Sequence, residues 1–568
     1  MAPHAIDFVC ESVHEEMEAA KPYLSMTTAQ TSPEFIESWD INAIMDPIAR
    51  DITPMWTAVL NAATESKICH AKADADSEPQ DSRHTTRNII SSQVHYRRSC
   101  ISAKVQIGLG LMAWSTGASR NLINVLHKAG LSRSYGSIND VLGSLQKFSL
   151  AEAALISRGP HALAYDNVNL SAVDPEQLLE RTMSKVKTGT QTLIYGPLGA
   201  KPEHLLLQPI IDNLAKSPRL KLGDLRPTQT SATEYLFQTA VSVSKILFKY
   251  FPAPEFENLI SDPALQHRPR RPLPKGHKTR FYPLSITTIE EATINGNLHV
   301  HDNIYIDQLH HTPDSEFLNK YAIPCLNDQL TNARIRGTQI LRAKDINPWE
   351  RREVFQLAFG TFHLVMNLIW ALLHTHRGTS AAHGSLSYYF TLLEKARLGN
   401  DRPSYYTLLS ALTQILEGLI LNAWHSECGY STLEEFAANN PTTDDILRIA
   451  RTIVDKYATP TCPVSPVEMP SKPRKSSGKN NTANERHGDE TRPSDNVDCV
   501  YSNTILLTRD LLYVIEITKA MSAGDFGRIE DILPQIACIF RGAGSNNYSM
   551  EVLHFLFNIK HVWPEEFA

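Results

Sequence analysis

The chain lacks several patterns that mark common functional classes. Its eight cysteines include no CxxC pair, which is typical of a reduced intracellular protein and argues against a disulfide scaffold. No GxGxxG or P-loop sequence is present, so nucleotide-dependent chemistry of those kinds has no support. The net charge is only −6 over 568 residues, so any nucleic-acid contact must come from a local patch.

Long apolar runs are also missing. The most apolar window, FGTFHLVMNLIWALL, is short and is interrupted by His363 and Asn367. We therefore predict a buried helix there and no membrane partner. The N-terminal segment MAPHAIDFVCESVHEEMEAAK is acidic and has no apolar core of the kind found in secretory signals. We expect an intracellular protein, and a short basic run, KPRKSSGK at 472–479, favours the nucleus over the cytoplasm.

The remaining composition is that of an ordinary globular protein, with 42 % hydrophobic and 20 % charged residues, and this length predicts two or three domains. Patterning predicts helices over 1–150, then a strand-bearing core with a helical insertion and a basic loop over 151–345. A helical insertion is predicted over 346–460, a disordered linker over 461–495, and core-completing helices over 496–568. The predicted fold class is α+β and predominantly helical.

Two segments of the N-terminal region have helical spacing and sit close together. GASRNLINVLHKAG ends on Gly130, and SYGSINDVLGSLQKF begins at a Ser/Tyr cap. Two helices of this size joined by a tight turn are compatible with a helix-turn-helix. An ordinary structural hairpin is the more common alternative.

Two strand-like segments end on carboxylates. HALAYDNVNLSAV predicts a strand that ends near Asp166, and KYAIPCLND predicts one that ends at Asp328. TGTQTLIYGPL and HVHDNIYIDQL are two further strand-like segments. If the first two strands share a sheet, both acids come to one edge, where they share a proton or hold a divalent metal such as Mg²⁺. The alternative is that both aspartates are turn residues.

Two acids on Mg²⁺ would form a platform for in-line phosphoryl transfer. Such a site commonly takes a third acid from a later helix, and Glu551, which opens an apolar helix, is the best-placed candidate. A second candidate metal site is the HVHD sequence at 299–302. On a strand, His299 and His301 would share one face, and Asp302 is an alternative second acid.

The strongest charge feature is the segment HRPRRPLPKGHKTRFYPL, whose four prolines predict an extended loop. Six cations fall within thirteen positions: Arg268, Arg270, Arg271, Lys275, Lys278 and Arg280. They would neutralise phosphates in a salt-dependent manner without reading sequence, so DNA is the candidate partner. The alternative is a solvated loop without a binding role.

Several long segments are specific enough to indicate a family. They are GLMAWSTGASRNLINVLHKAGLSRSYGSI, HALAYDNVNLS, RPRRPLPKGHKTRFYPLSITTIEEATINGNLHVHD, NDQLTNARIRGTQ, FGTFH, AGDFGRIEDILP and FRGAGSNNYSMEVLHFL with HVWP. These segments resemble an expanded fungal family whose shared domain has no known function. The resemblance covers the chain from about residue 35 to the end, and it implies no activity.

A second resemblance concerns mechanism. A strand-end Asp, a second Asp, an aromatic-His element, a large helical insertion and a late Glu follow one another as in the ribonuclease-H-like core of hAT-type transposases. This resemblance implies a mixed sheet interrupted by helical insertions, the main one at about 346–495. It also implies that Asp166, Asp328 and Glu551 are catalytic, bind the metal and use Mg²⁺ as the cofactor.

Neighbouring residues complete the implied site. His363 matches the histidine that follows the second Asp in those enzymes, although the Cys of their CxxH element is Gly360 here. Arg334 and Arg336 are expected to pair with the acids or to face a phosphate. Asn327 departs from the fungal family, which usually has Gly before the second Asp.

Three functions therefore remain open. The chain is a DNA-processing enzyme derived from a transposase, a non-enzymatic derivative that binds DNA or protein partners, or a structural scaffold. Assembly into a homo-oligomer is also left open.

Overall fold

A computed structural model describes residues 2–64, 82–172, 185–460 and 498–568. The predicted linker at 461–495 and the basic run at 472–479 lie outside these ranges. Helices dominate the described residues, and one mixed sheet of five strands accompanies them. The prediction of a predominantly helical α+β fold is therefore confirmed.

The N-terminal region is helical, as predicted. Its helices are α1 (Ala2–Leu24), α2 (Pro33–Glu37), α3 (Ile41–Asp51), α4 (Pro54–Thr64), α5 (Ser82–Arg98), α6 (Lys104–Ser115), α7 (Arg120–Lys128) and α8 (Tyr135–Ile156). The predicted helix pair is α7 and α8: Ser119 and Ser134 cap their N-termini, and Gly130 turns the chain between them with a φ of 81°. These helices form two small apolar clusters, and the C-terminal part of α8, at Ala153, joins the separate core around the sheet.

The strands are β1 (Ala162–Ala172), β2 (Lys185–Tyr195), β3 (Phe281–Pro283), β4 (Ile323–Asn327) and β5 (Phe355–Phe359). Their order in the sheet is β3-β2-β1-β4-β5. β1 and β2 are antiparallel, as are β2 and β3, whereas β4 runs parallel to both β1 and β5. The prediction that the first strand ends near Asp166 is wrong, because pairing with β2 carries β1 on to Ala172.

The other helices surround the sheet and continue to the C-terminus. They are α9 (Leu207–Lys216), α10 (Gln229–Tyr250), α11 (Glu257–Ile260), α12 (Ile294–Asp302), α13 (Glu316–Lys320), α14 (Gln329–Leu341), α15 (Thr361–His376), α16 (Leu386–Leu392), α17 (Tyr405–Glu427), α18 (Leu433–Ala438), α19 (Thr443–Tyr457), α20 (Cys499–Ser522), α21 (Phe526–Gly542) and α22 (Asn546–Phe557). One apolar core joins the sheet to the helices on both sides of the undescribed segment 461–497. α15 is the buried helix predicted from FGTFHLVMNLIWALL. Among the described residues, no helix has the length and apolarity that a membrane crossing requires.

Two segments differ from their predicted secondary structure. HVHDNIYIDQL is not a strand: α12 covers its first four residues and a π-helical turn, Asn303–Gln308, follows. Thr293 starts α12 because its hydroxyl accepts the Gly296 N–H, and that cap favours a helix over a strand. The stretch that contains β5 is predicted to be helical. It forms a strand because its residues alternate between buried and half-buried and because it pairs with β4.

Candidate functional site

The sheet brings Asp166 and Asp328 to the same edge. β1 and β4 are parallel neighbours in which Leu163 faces Cys325. Asp166 and Asp328 each follow this pair by three residues, Asp166 within β1 and Asp328 one residue past the end of β4. Neighbouring strands are about 4.8 Å apart, so two carboxylates at matching positions are near each other. We call the group formed by Asp166, Asp328, Glu291 and Glu551 the acidic edge.

Asp328 has a structural role as the cap of a helix. It is the N-cap of α14, and its Oδ1 accepts the Thr331 N–H at 2.6 Å. A carboxylate at this position satisfies a free amide and is stabilised by the positive end of the helix. These contacts explain why a half-buried acid directly follows the buried strand β4.

Asp166 is the most accessible acid of the edge, with 55 % of its side chain exposed. Its Oδ1 accepts the N–H of Asn167, and its Oδ2 lies 3.7 Å from Nε2 of His363. His363 belongs to the first turn of α15, directly after β5. The aromatic-His element is thus next to the first predicted acid.

Glu551 is buried on α22 and is already paired. Arg336 donates to both of its oxygens, and the contact from Nη1 to Oε1 is 3.3 Å long. Asn332 Nδ2 donates to the same Oε1 at 2.8 Å. The third predicted acid therefore has its charge compensated inside the protein.

Glu291 is a fourth acid, which the sequence did not single out. It is 1 % exposed, and its Oε1 accepts the Thr331 hydroxyl at 3.0 Å. Burial raises the pKa of Glu291 to about 7; the nearby charges of Asp166 and Asp328 also raise it, and Arg334 lowers it. Nothing in its local sequence, TTIEEATI, distinguishes it from an ordinary acid before a helix.

Tyr548 is a half-buried phenol whose pKa responds to the three predicted acids. It is on α22, one turn before Glu551. Burial raises its pKa strongly, and the charges of Asp328, Glu551 and Asp166 each raise it further. One phenol hydroxyl is thus within electrostatic reach of all three carboxylates.

The donor set suits a hard cation, because carboxylate oxygens are the ligands that Mg²⁺ prefers. Glu291 also has a buried oxygen, Oε2, that accepts no hydrogen bond from the described residues. Even so, within those residues no three His, Cys, Asp or Glu side chains stand close enough together to hold an ion. A cation at this edge would have to draw the carboxylates towards it.

Asn327 connects β1, β4 and α14. Its Oδ1 accepts the Tyr165 N–H at 3.2 Å, and its Nδ2 is 3.3 Å from Oδ1 of Asn332. It is 3 % exposed, and its φ is not among the positive values of the described residues. The position before Asp328 therefore requires no glycine here, and the Asn side chain fixes Asn332, which in turn holds Glu551.

The HVHD sequence does not form the expected strand-face metal site. His301 is buried beside Tyr165, whose hydroxyl is 3.0 Å from its Nε2, whereas His299 is exposed. Asp302 accepts a hydrogen bond from Arg352 at 2.6 Å. The helix α12 separates the two histidines because residues two apart point in different directions on a helix.

The basic loop, residues 268–280, is not extended throughout, because it turns at Gly276, whose φ is 81°; its first part lies against the start of α21. Asp525 accepts the backbone N–H groups of both Arg270 and Arg271 at 2.8 Å. The loop approaches so closely that a Cβ on Gly527 would lie 2.8 Å from Cβ of Arg270 and 2.9 Å from N of Arg271. Gly527 thus allows a backbone contact that any larger residue would obstruct.

Three arginines of the basic loop have acidic partners. Arg270 meets Asp531 at 3.0 Å, and Arg271 meets Glu530 at 2.8 Å. Arg268 lies 3.9 Å from Glu234, and its guanidinium is 3.6 Å from the centroid of the Phe237 ring. Half of the predicted DNA-binding cations are therefore compensated within the protein.

The other three cations of the loop, Lys275, Lys278 and Arg280, are exposed. They make no ion pair with another described residue. These three side chains are the part of the loop that remains available to a polyanion.

A family model for a family of unknown function, DUF6589, matches residues 214–568. This is more than half of the chain, so the chain belongs to that family. The match contains Glu291, Asp328 and Glu551 but begins after β2, so Asp166 lies before it. No curated protein and no solved structure matches the chain. Membership in a family of unknown function is confirmed, while the resemblance to transposases stays a prediction.

Proposed function

We propose that this member of the DUF6589 family is a transposase-derived protein with a ribonuclease-H-like core that cleaves DNA strands with a divalent cation. The observation that carries the proposal is the parallel pairing of β1 and β4 at Leu163 and Cys325, three residues before Asp166 and Asp328 respectively. A mixed sheet followed by a helical insertion and a late helix with Glu551 agrees with the order that the resemblance implies. Fold alone would not support an activity.

Asp166 and Asp328 are the residues that would hold the cation. When bound, Mg²⁺ would lower the pKa of an attacking water and balance the charge that develops on the phosphate. Asp328 is held in place by its cap on α14, and Asp166 is open to solvent, so a DNA strand can reach the edge. His363 would orient Asp166 from one side.

Arg334 is the cation best placed to meet the phosphate. It lies on α14, the helix that Asp328 caps, and its charge acts to lower the pKa of both Glu291 and Tyr165. It makes no ion pair with another described residue, in contrast to Arg336, which is paired with Glu551. An arginine can donate two parallel hydrogen bonds to a phosphate.

The test is nicking of supercoiled DNA by the full chain with Mg²⁺ or Mn²⁺. Asp166→Asn and Asp328→Asn are each expected to lower nicking at least about a hundredfold, since each would remove a metal ligand. Asp314→Asn, at an exposed position that is not one of the acids of the acidic edge, is the matched control and should nick like the wild type. Equal nicking by Asp166→Asn would remove Asp166 from the mechanism.

A second function is favoured by one observation. Because Arg336 already compensates Glu551, the chain fits a non-catalytic derivative that keeps the fold and binds DNA. In that case the folded wild type would nick no DNA with either metal, yet would still shift labelled DNA in a gel.

A further inference from the structure

We propose that the cation of the acidic edge is held by Glu291 together with Asp166 and Asp328, and that Glu551 is not a ligand. This assignment rests on the proposed function and names the third acid of the same site. It differs from the triad implied by the order of acids along the chain.

Thr331 ties Glu291 to Asp328. Its backbone N–H donates to Asp328 Oδ1 at 2.6 Å, and its hydroxyl donates to Glu291 Oε1 at 3.0 Å. Thr331 is itself buried, at 1 % exposure, and its two bonds hold one oxygen of each carboxylate at the same residue. The two acids are therefore held near each other by the first turn of α14.

A second set of bonds ties Glu291 to β1. Asn297 Nδ2 donates to the backbone oxygen of Glu291 at 2.7 Å. The hydroxyl of Tyr165 donates to Asn297 Oδ1 at 2.7 Å. Tyr165 precedes Asp166 on β1, so Glu291 is anchored to the strand that carries the first acid as well.

One oxygen of Glu291 is left without a partner. Oε2 is buried and accepts no hydrogen bond from the described residues. An unsatisfied buried carboxylate oxygen is costly, and the cost grows when two other carboxylates are close. A divalent cation would satisfy this oxygen and offset the repulsion among the three acids.

Glu551, in contrast to Glu291, has no carboxylate oxygen without a partner. Arg336 contacts both of its oxygens, Asn332 contacts one of them, and the residue is 2 % exposed. Using Glu551 as a ligand would require the ion pair to break in a buried setting. The carboxylate with a free oxygen is Glu291, and the carboxylate with a partner is Glu551.

The test is direct binding of Mn²⁺ to the full chain without DNA, measured as loss of the free-ion signal in electron paramagnetic resonance. Glu291→Gln and Asp166→Asn are each expected to weaken Mn²⁺ binding at least about tenfold. The double variant Arg336→Met/Glu551→Gln removes the ion pair without leaving a lone charge, and we expect binding within about twofold of the wild type. Circular dichroism establishes that each variant is folded.

The outcomes separate this assignment from the proposed function. If Glu291→Gln binds Mn²⁺ like the wild type while Asp166→Asn does not, Glu291 is not a ligand and the proposed function stands. If the double variant loses binding tenfold, Glu551 is the third ligand and the assignment is wrong. If the wild type binds no Mn²⁺, or if Asp166→Asn binds as tightly as the wild type, the proposed site itself fails.

Discussion

The acidic edge and the basic loop are both dense in charge, but the protein compensates them to different extents. In the basic loop, acids from α10 and α21 meet three of the arginines, and Asp525 holds the backbone. At the acidic edge, Asp166, Asp328 and Glu291 have no Lys or Arg within ion-pair distance among the described residues, and only Glu551 has an arginine. Uncompensated charge kept at one place is typical of a site that binds something.

The largest effect should come from breaking the one buried ion pair of the acidic edge. Arg336→Met leaves the Glu551 carboxylate buried and unpaired, so we expect the free energy of unfolding to fall by about 3–5 kcal/mol. Urea unfolding of the full chain measures this change.

Arg271→Met is the matched control for that variant, since it breaks an ion pair of the basic loop that is largely exposed. It should cost at most about 1 kcal/mol. Arg336→Met/Glu551→Gln should recover most of the lost stability. Equal costs for the two single variants would mean that the acidic edge and the basic loop do not differ as described.

An intermediate effect is expected from pH at the start of the basic loop. Burial, followed by the charges of Arg528, Lys519 and Lys245, lowers the pKa of His267 to about 3. Because this pKa lies below that of the unfolded chain, the neutral form favours folding, and stability is lost as the pH falls from about 6.5 towards 3. Between pH 7.5 and 4.5, the wild type should lose about 2–3 kcal/mol more than His267→Gln.

Urea unfolding at several pH values measures this difference, and other histidines cancel because both proteins contain them. His299→Gln, at an exposed position, is the control and should run parallel to the wild type. Parallel curves for His267→Gln would show that His267 is not held neutral by its surroundings.

The smallest effect concerns DNA affinity of the basic loop. Lys275→Ala/Lys278→Ala should reduce the slope of log affinity against log salt by up to about 2, because each lost phosphate contact removes about 0.9. Arg270→Ala/Arg271→Ala removes the same charge but should change the slope less, because both arginines are held by acids. A larger change in the arginine variant would show that DNA displaces those ion pairs.

Much of the fold could be predicted from the sequence because its signals are local. Ser119, Gly130 and Ser134 mark the ends of α7 and α8, and the apolar run before Asp328 marks β4. Other elements depend on partners distant in the chain. β1 extends to Ala172 because β2 pairs with it, and β5 is short enough to be mistaken for the start of a helix.

The candidate site could be predicted only in part. Asp166 and Asp328 follow from their positions on strand-like segments, and the strands β1 and β4 that lead to them are parallel neighbours. Glu291 has no such pattern, since its importance comes from Thr331 and from the two aspartates, which are far from it in sequence. Arg336 is expected from the sequence to pair with an acid of the site or to face a phosphate, but its choice of Glu551 depends on how α14 and α22 pack, which spacing along the chain cannot reveal.

A substitution at Gly527 would change the position of the basic loop without changing its charge. A single methyl group at this position would clash with Arg270 and Arg271 and push their backbone away from α21. Gly527→Ala therefore displaces the loop without altering any charge, whereas the lysine and arginine variants alter charge without displacing it. Comparing them distinguishes a polyanion site that depends on where the cations are held from one that depends only on how many there are.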